Sequence, residues 1–522
     1  MRSHLLHGLA GALLMLAAAC ASLPEPRTRL PQFALPPAEG SPLARLAATA
    51  APPRAQAGQS GFRLLFAGET AFNTRIALAR RAVRSIDAQY YVVAGDATGR
   101  GLLRELRDAA SRGVRVRLLV DDLYAAIDDD LLAGLAAHPN VQVRLFNPLP
   151  VRIGALGMRL MLSLHQFNRV NHRMHNKLFI ADNTFAVSGG RNVADEYFMN
   201  NPEANFVDLD VLAAGPVVRE LSAVFDGFWN SRRVYPIDEL IGRATASEDR
   251  ESFESLVSGE TRRLGERQRD ALGFESPWWQ IEQGTLTMAH APARGLSDAP
   301  EKTVDDGPAQ RAPTVAQQTL ALIAGARESV LIMSPYFIPG DEGMRSLRGL
   351  TGRDAKVGVT LLTNSIGATD EPLAYAAYAR YRLPLLQAGV HIYELSPTLA
   401  RDSGRVGDFG ETTGRLHSKT LAIDGRWLFI GSMNLDPRSA RANTEAGLVI
   451  DSPELAQQVQ SVFQRGTALG TYQLRLAPGD HIEWIETDWQ GRRTVHADEP
   501  HDCAWLRLKL WLLGLVVSED LL

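Results

Sequence analysis

Cysteine is almost missing from this chain, whose 522 residues include only Cys20 and Cys503. Two thiols exclude a disulfide scaffold and any zinc site built on cysteines. An excess of one charge is missing as well. Lys+Arg total 55 and Asp+Glu 59, a formal net of −4, which argues against a protein that coats nucleic acid. Long apolar runs are also absent. Gly8–Ala19 and the mainly apolar Ala504–Val517 hold twelve and fourteen residues, whereas a helix needs about 20 to cross a hydrocarbon core. What remains is 45% hydrophobic and 22% charged, an ordinary globular composition at a length of two to four domains. Disordered, collagen-like and polytopic membrane proteins are thereby excluded.

The ends carry address-like features. Arg2 followed by the short run Gly8–Ala19 reads as a signal peptide over residues 1–19. Ala17–Ala19 lead directly into Cys20, which resembles the processing site at which bacterial lipoproteins are lipidated, although the customary Leu sits one position early, at Leu16. An ordinary signal peptide with an incidental cysteine is the plainer alternative. Lipidation at Cys20 would make the protein exported, membrane-associated and periplasm-facing. Ala21 in place of an Asp leans toward the outer membrane without deciding between the two. Residues 20–60, rich in Ala and Pro, read as a tether. Residues 471–522 read as an amphipathic tail, in which Trp505, Arg507, Lys509 and Trp511 suit either the headgroup region or a terminal helix packed on the body.

Between these ends the chain repeats itself. IDAQYYVV, VRVRLLVDD and VQVRLFNP near residues 86–148 are matched by VLIMSPYFIP, VGVTLLTNS and VHIYELSP near residues 330–397, with helical stretches between them. The β-branched runs predict an α/β fold of two tandem repeats, each a mixed or parallel sheet flanked by helices and related to the other by a pseudo-twofold axis. The expected boundaries are 61–240 and 315–470, with an insert over 241–314. Within that insert Trp278 and Trp279 open a stretch that reads as strand.

Each repeat ends in the same spacing, H-x-K-x4-D-x6-G-[GS]-x-N. The first copy is His175, Lys177, Asp182, Gly189, Gly190 and Asn192; the second is His417, Lys419, Asp424, Gly431, Ser432 and Asn434. His and Lys two apart on a strand share a face, so an imidazole and an ammonium can address one phosphate. In-line displacement needs a nucleophile on one side of phosphorus and an acid on the other, which two facing copies supply. The lysines, with Gly190, Ser432, Asn192 and Asn434 as hydrogen-bond donors, would hold the phosphate oxygens. No metal and no cofactor is called for. Asp182-Asn183 and Asp424-Gly425 lie between apolar runs and read mainly as hairpin turns that also pair with a basic group. Asp208 and Glu445 occupy equivalent places and read as partners that orient an imidazole, a surface salt bridge being the alternative.

These residues resemble the phospholipase D superfamily over about residues 62–463. RMHNKLFIADNTFAVSGGRNVADEYF (173–198) and GSMNLDPRSARANTE (431–445) are most similar to bacterial cardiolipin synthases of the branch without N-terminal membrane helices. The resemblance implies His175, Lys177, Asp182, His417, Lys419 and Asp424 as catalytic residues, with Glu445 holding a histidine. By analogy with lipid-acting members, His175 is the nucleophile and His417 the acid, then base; the reverse order stays open. The implied reaction is transfer of a phosphatidyl group between phospholipids through a phosphatidyl-histidine, giving cardiolipin with phosphatidylglycerol as acceptor. Phosphatidylglycerol and phosphatidylethanolamine both remain possible donors. The alternative is a hydrolase of phospholipid or, less readily, of nucleic acid.

Between Asp130 and Asp182, 51 residues carry no acid but do carry Arg144, Arg152, Arg159, Arg169, Arg173 and Lys177. This basic, greasy stretch suits an anionic lipid at a membrane surface rather than nucleic acid. A buried helix with snorkelling arginines is the bland alternative. With both motifs in one chain, a monomer is sufficient.

Overall fold

The computed structural model describes residues 23–502 except 26, 28, 52–55, 57, 124–128, 153, 155, 260–268, 271, 304–311, 353–356, 399–411 and 489. The leader 1–19, Cys20 and the greasy stretch 504–517 lie outside the described residues.

The first repeat builds a nine-stranded sheet from β1 (Ser60–Leu65), β2 (Ser85–Tyr90), β3 (Arg115–Asp121), β4 (Val141–Phe146), β5 (Leu178–Ala181), β6 (Phe185–Gly189), β8 (Asp210–Ala214), β9 (Val234–Pro236) and β10 (Ala289–Ala291), in the order β10-β1-β8-β6-β5-β2-β3-β4-β9. A short strand β7 (Ala204–Val207) stands apart from it. Only β2, β3 and β4 run parallel, joined by the helices Ala97–Ser111 and Asp129–Ala136, because a parallel step needs a crossover. The second repeat gives a ten-stranded sheet from β11 (Ala293–Ser297), β12 (Ser329–Met333), β13 (Gly358–Asn364), β14 (His391–Leu395), β16 (Thr420–Ile423), β17 (Trp427–Gly431), β18 (Ala446–Asp451), β19 (Thr471–Ala477), β20 (His481–Thr487) and β21 (Arg493–His496). Its β12, β13 and β14 are parallel, while β15 (Thr413–Leu416) leaves the sheet to pair with β7 of the other repeat.

Strand periodicity sorts the side chains into layers. On β3, Val116, Leu118 and Val120 enter the core under the outer helices, while Leu119 enters a second core. That second core mixes both repeats: Phe62, Leu178 and Val211 share it with Leu331, Ile430 and Leu448. At about 1.5–3 kcal/mol per fully buried large side chain, this shared layer binds the halves into one body.

Three boundary expectations are corrected. Part of the 20–60 stretch packs on the body rather than hanging as a tether. Ala34 N–H donates to Asp226 Oδ2 at 2.7 Å, and the helix Pro42–Ala50, capped by Ser41, buries Leu43, Leu46 and Ala50. Their i, i+3, i+7 spacing is a helical stripe hidden by Ala/Pro composition. The 241–314 insert belongs to both sheets, since β10 pairs with β1 and β11 with β18. Its Trp278 and Trp279 lie in the helix Pro277–Gln283, opened by a proline at its first position, not in a strand. Residues 471–496 are not amphipathic tail but three antiparallel strands that widen the second sheet.

Candidate active site

The two HxK segments meet where β2 and β3 of one half, and β12 and β13 of the other, reach their C-terminal ends. His175 and Lys177 lie in extended chain just before β5, and His417 and Lys419 between β15 and β16. They are thus at the strand entrance rather than on a strand, because their backbone bonds across the repeat boundary. His175 N–H donates to Thr444 O at 2.9 Å, and His417 N–H donates to Val207 O at 2.8 Å. The residues that follow those acceptors are Glu445 and Asp208.

Each imidazole is consequently held by the opposite repeat. His175 Nδ1 lies 3.0 Å from Glu445 Oε2 and 3.2 Å from Oε1. His417 Nδ1 lies 2.7 Å from Asp208 Oδ2. All four residues are buried. An ionised carboxylate only accepts, so Nδ1 carries the proton in each pair and Nε2 is left for chemistry. Lys177 Nζ and Lys419 Nζ each donate to the carbonyl of their own histidine at 2.6 Å, which keeps both ammonium groups beside the rings.

Burial sets the electrostatics. It holds the His175 imidazole down at about 4, against the pull of Glu445 and with help from Lys177. Burial, Lys419 and Lys177 hold His417 well below the usual histidine range. Burial lowers Lys419 to about 8 and pushes Lys177 down as well. Burial raises Asp208 despite nearby Lys419; at Glu445 burial is the largest influence, yet His175, Lys177 and Ser432 together outweigh it and keep the carboxyl low. Two lysines and two imidazoles thus converge on one centre, a set of groups suited to an anion.

Asp182 and Asp424 are turn formers that clamp the strand next door. Both hairpins have left-handed backbone at their two central residues, φ 50° and 49° at Asp182-Asn183 and 53° and 58° at Asp424-Gly425. Asp182 Oδ1 accepts from the backbone N–H of Arg84 and Ser85 at 2.7 and 3.0 Å, and Oδ2 from Val83 at 3.0 Å. Asp424 accepts from Arg327, Glu328 and Ser329 in the same way. Each carboxylate binds backbone at the far end of the strand from the lysine, and the Arg327 charge adds to the hold on Asp424.

The phosphate cradle is also redrawn. Ser432 Oγ donates to Glu445 Oε2 at 2.5 Å, and its N–H is spent on Ala446 O. Gly190 N–H goes to Leu209 O; a Cβ there would stand 2.3 Å from Asp208 Oδ1. These two positions therefore support the carboxylates instead of the phosphate. Asn192 uses its amide on Val92 N–H at 3.3 Å and the Tyr197 hydroxyl at 2.8 Å, whereas the buried Asn434 Oδ1 has no partner among the described residues.

Aromatic walls escaped sequence reading. Tyr91 stands edge-on to His175 with centroids 5.0 Å apart and lies under Lys177 Nζ at 5.3 Å. Tyr197 and Phe206 pack His417 at 5.0 and 4.9 Å. Tyr91 follows β2, and Tyr197 lies within the very segment that carries the family resemblance; neither has a counterpart at fixed spacing from its histidine.

The acid-free stretch is neutralised from outside itself. Arg152 bonds Asp122 at 2.9 Å and also Asp129; Arg173 bonds Asp121 at 2.7 Å, fully buried. Met158, Met161, Leu164 and Phe167 remain exposed. The greasy component faces solvent and much of the basic component is internal, the reverse of a snorkelling helix.

The chain is similar to known proteins. The family described as "Cardiolipin synthase, PLD-like domain" matches residues 75–229 and 319–466. Cardiolipin synthase C of Escherichia coli (strain K12) is 36% identical over 470 residues, covering 89% of this chain and 97% of that protein. Cardiolipin synthase A of Pseudomonas fluorescens is 28% identical over 77% of this chain and 67% of its own. Among solved structures, a phosphatidylserine synthase of Haemophilus influenzae superposes with a TM-score of 0.54 at 17% identity, covering 80% of this chain and 88% of that one. Duplicated motifs, a doubled sheet and these relatives together place the chain in the phospholipase D-like cardiolipin synthase family.

Proposed function

We propose that this protein is a phosphatidyltransferase that makes cardiolipin from two phospholipids. The observation that carries it is the pair of buried imidazoles, each on the carboxylate of the opposite repeat, with Lys177 and Lys419 beside them. His175 Nε2, neutral at pH 7 because burial holds it near 4, attacks the donor phosphorus. The bond from phosphorus to the headgroup oxygen breaks, and His417, charged in response to the arriving phosphodiester, gives that oxygen its Nε2 proton. A phosphatidyl-histidine results. His417 then takes the proton from a hydroxyl of phosphatidylglycerol, that oxygen attacks phosphorus, the P–N bond breaks and His175 is regenerated. The two ammonium groups, and the Nδ2 hydrogens of the Asn434 amide, offset the charge that builds on the equatorial oxygens. Tyr91, Tyr197 and Phe206 wall off water, which favours transfer over hydrolysis.

Phosphatidylglycerol is the acceptor in this reading, and phosphatidylglycerol or phosphatidylethanolamine the donor. One chain supplies both halves of the centre, so a monomer suffices. The protein works at a membrane surface, exported and held by a lipid at Cys20, with no nucleic-acid partner. No helix among the described residues is long and apolar enough to cross a membrane. Purified protein in mixed micelles of phosphatidylglycerol and phosphatidylethanolamine will form cardiolipin; phosphatidic acid as the sole product would replace transferase by hydrolase.

A further inference from the structure

A second basic site lies away from the two histidines. At the outer edge of the first sheet, a cavity of about 350 Å3 is lined by Arg27, Arg29, Arg144 and Arg232, with Trp229 and Asn230. Its volume falls in the range of small-ligand sites, about 300–1,000 Å3. From the active-site strand β5, the strand β4 that carries Arg144 is three strand spacings, about 14 Å, to the side.

Arg144 shows what the cavity lacks. It is only 7% exposed, its guanidinium lies 4.2 Å from the Trp229 ring centroid, and Nη1 donates to Trp229 O at 2.8 Å. No carboxylate among the described residues bonds it. Among the described residues, the acid paired with the arginines of the cavity is Glu239, taken by Arg29 and approached by Arg27 at 3.9 Å. Neighbouring Arg117 is satisfied separately by Asp87 and Asp226. Among the described residues, the four arginines that line the cavity thus share Glu239 as their ion-pair partner, and it pairs with only two of them. A buried charge without a counter-ion is costly, and burial together with Arg29 pulls Arg144 down to about 10.

We infer that this cavity binds the phosphate of an anionic membrane lipid and docks the protein on the bilayer beside its active centre. A planar guanidinium held on an aromatic face suits phosphate oxygens. The membrane source follows from the surroundings. Leu30 and Phe33, in the strap that borders the cavity, are 88% and 64% exposed, an unusual display of large apolar side chains next to arginines, which fits the interfacial region of a bilayer. The exposed Met158, Met161, Leu164 and Phe167 belong to the segment that follows β4. Asn147 Nδ2 ties that segment back to the end of β4 by donating to Arg169 O and His172 O at 2.7 Å. Arg27 also stands only seven residues after Cys20, so a lipid on that cysteine would hold the cavity near the surface; the cavity itself does not depend on it.

The test compares binding of the full-length protein to vesicles of phosphatidic acid and of phosphatidylcholine, a preference that an acyl anchor does not create. Wild type will favour phosphatidic acid. Arg144→Met and Arg232→Ala will each cut that preference about fivefold, whereas Leu30→Ser with Phe33→Ser will weaken binding to both vesicles. Inorganic phosphate will raise the melting temperature of wild type by more than that of Arg144→Met, which keeps only the stabilisation that comes from the active centre. Arg144→Met removes an unpaired buried charge, so it will melt no lower than wild type in the absence of anions. Unchanged vesicle preference in both arginine variants would overturn the inference. Stabilisation by phosphate without any effect on vesicle preference would overturn the lipid assignment in favour of a free anion.

Discussion

His417 and Asp208 belong to different repeats, yet their side chains meet at 2.7 Å, and the backbone sets up the meeting: His417 N–H bonds the carbonyl of Val207, the residue just before Asp208. His175 and Glu445 repeat the relationship in the other direction. Asp208→Asn and Glu445→Gln will therefore each lower kcat by about 10²–10⁴-fold with the fold intact, as when an orienting carboxylate is lost from a catalytic triad. Steady-state kinetics beside circular dichroism checks this; kcat within a factor of two of wild type would show the pairs to be merely structural.

The order of roles can be read by trapping. With an aryl phosphodiester whose leaving group needs no proton, His417→Asn will still complete the first displacement and then stall. Intact-mass and peptide analysis will find the adduct on His175. An adduct on His417 in the mirror variant His175→Asn, with none on His175 in His417→Asn, would reverse the assignment.

Support of the carboxylates predicts a contrast between equivalent positions. Ser432→Ala loses one hydrogen bond to Glu445, a cost of about 1 kcal/mol and so about fivefold in kcat. Gly190→Ala puts a Cβ where the Asp208 carboxylate stands and will cost at least a further tenfold by moving that group off His417. Equal losses in the two variants would contradict this division of labour.

Asp182→Ala and Asp424→Ala act on stability before chemistry. Each removes the acceptor for three backbone N–H groups. Asp182 is fully buried and Asp424 is half-buried, so the first will cost about 3 kcal/mol or more and the second less. Urea melts order the two; a kcat loss with an unshifted midpoint would return them to the chemistry.

Protonation gives a signed test. His175, lowered to about 4, is neutral across the physiological range, and NMR of labelled histidine will show its midpoint there instead of near 6.5. Glu445→Gln removes the charge that favours the imidazolium and will move the midpoint lower still. Lys419, lowered to about 8, loses its charge as pH rises through that value. Affinity for dimethyl phosphate, whose own charge is constant, will fall over the same interval.

The duplicated spacing made the histidines, lysines and sheet architecture legible because period-two strands and a fixed hairpin leave a local trace in sequence. Asp208 and Glu445 were legible as a pair, but not whose ring each holds: that depends on β7 meeting β15 and on Met174 meeting Thr444 across the repeat boundary, and no spacing within one repeat records it. Ser432 was misread for a similar reason, since a hydroxyl beside a phosphate site looks the same as one beneath a carboxylate. The helix Pro42–Ala50 and the strands after residue 471 were lost to composition, which averages over a short apolar stripe. Arg152 and Arg173 looked available because their acids, Asp122, Asp129 and Asp121, precede the acid-free window.

Pro292 alone separates β10, at one edge of the first sheet, from β11, at an edge of the second, and its carbonyl is bonded by Asp451 N–H at 2.9 Å. This one-residue stitch ties the two sheets at their edges, beside the core that both share. Any wide opening between the halves would have to part that core, so the two histidines are carried by a single packed body.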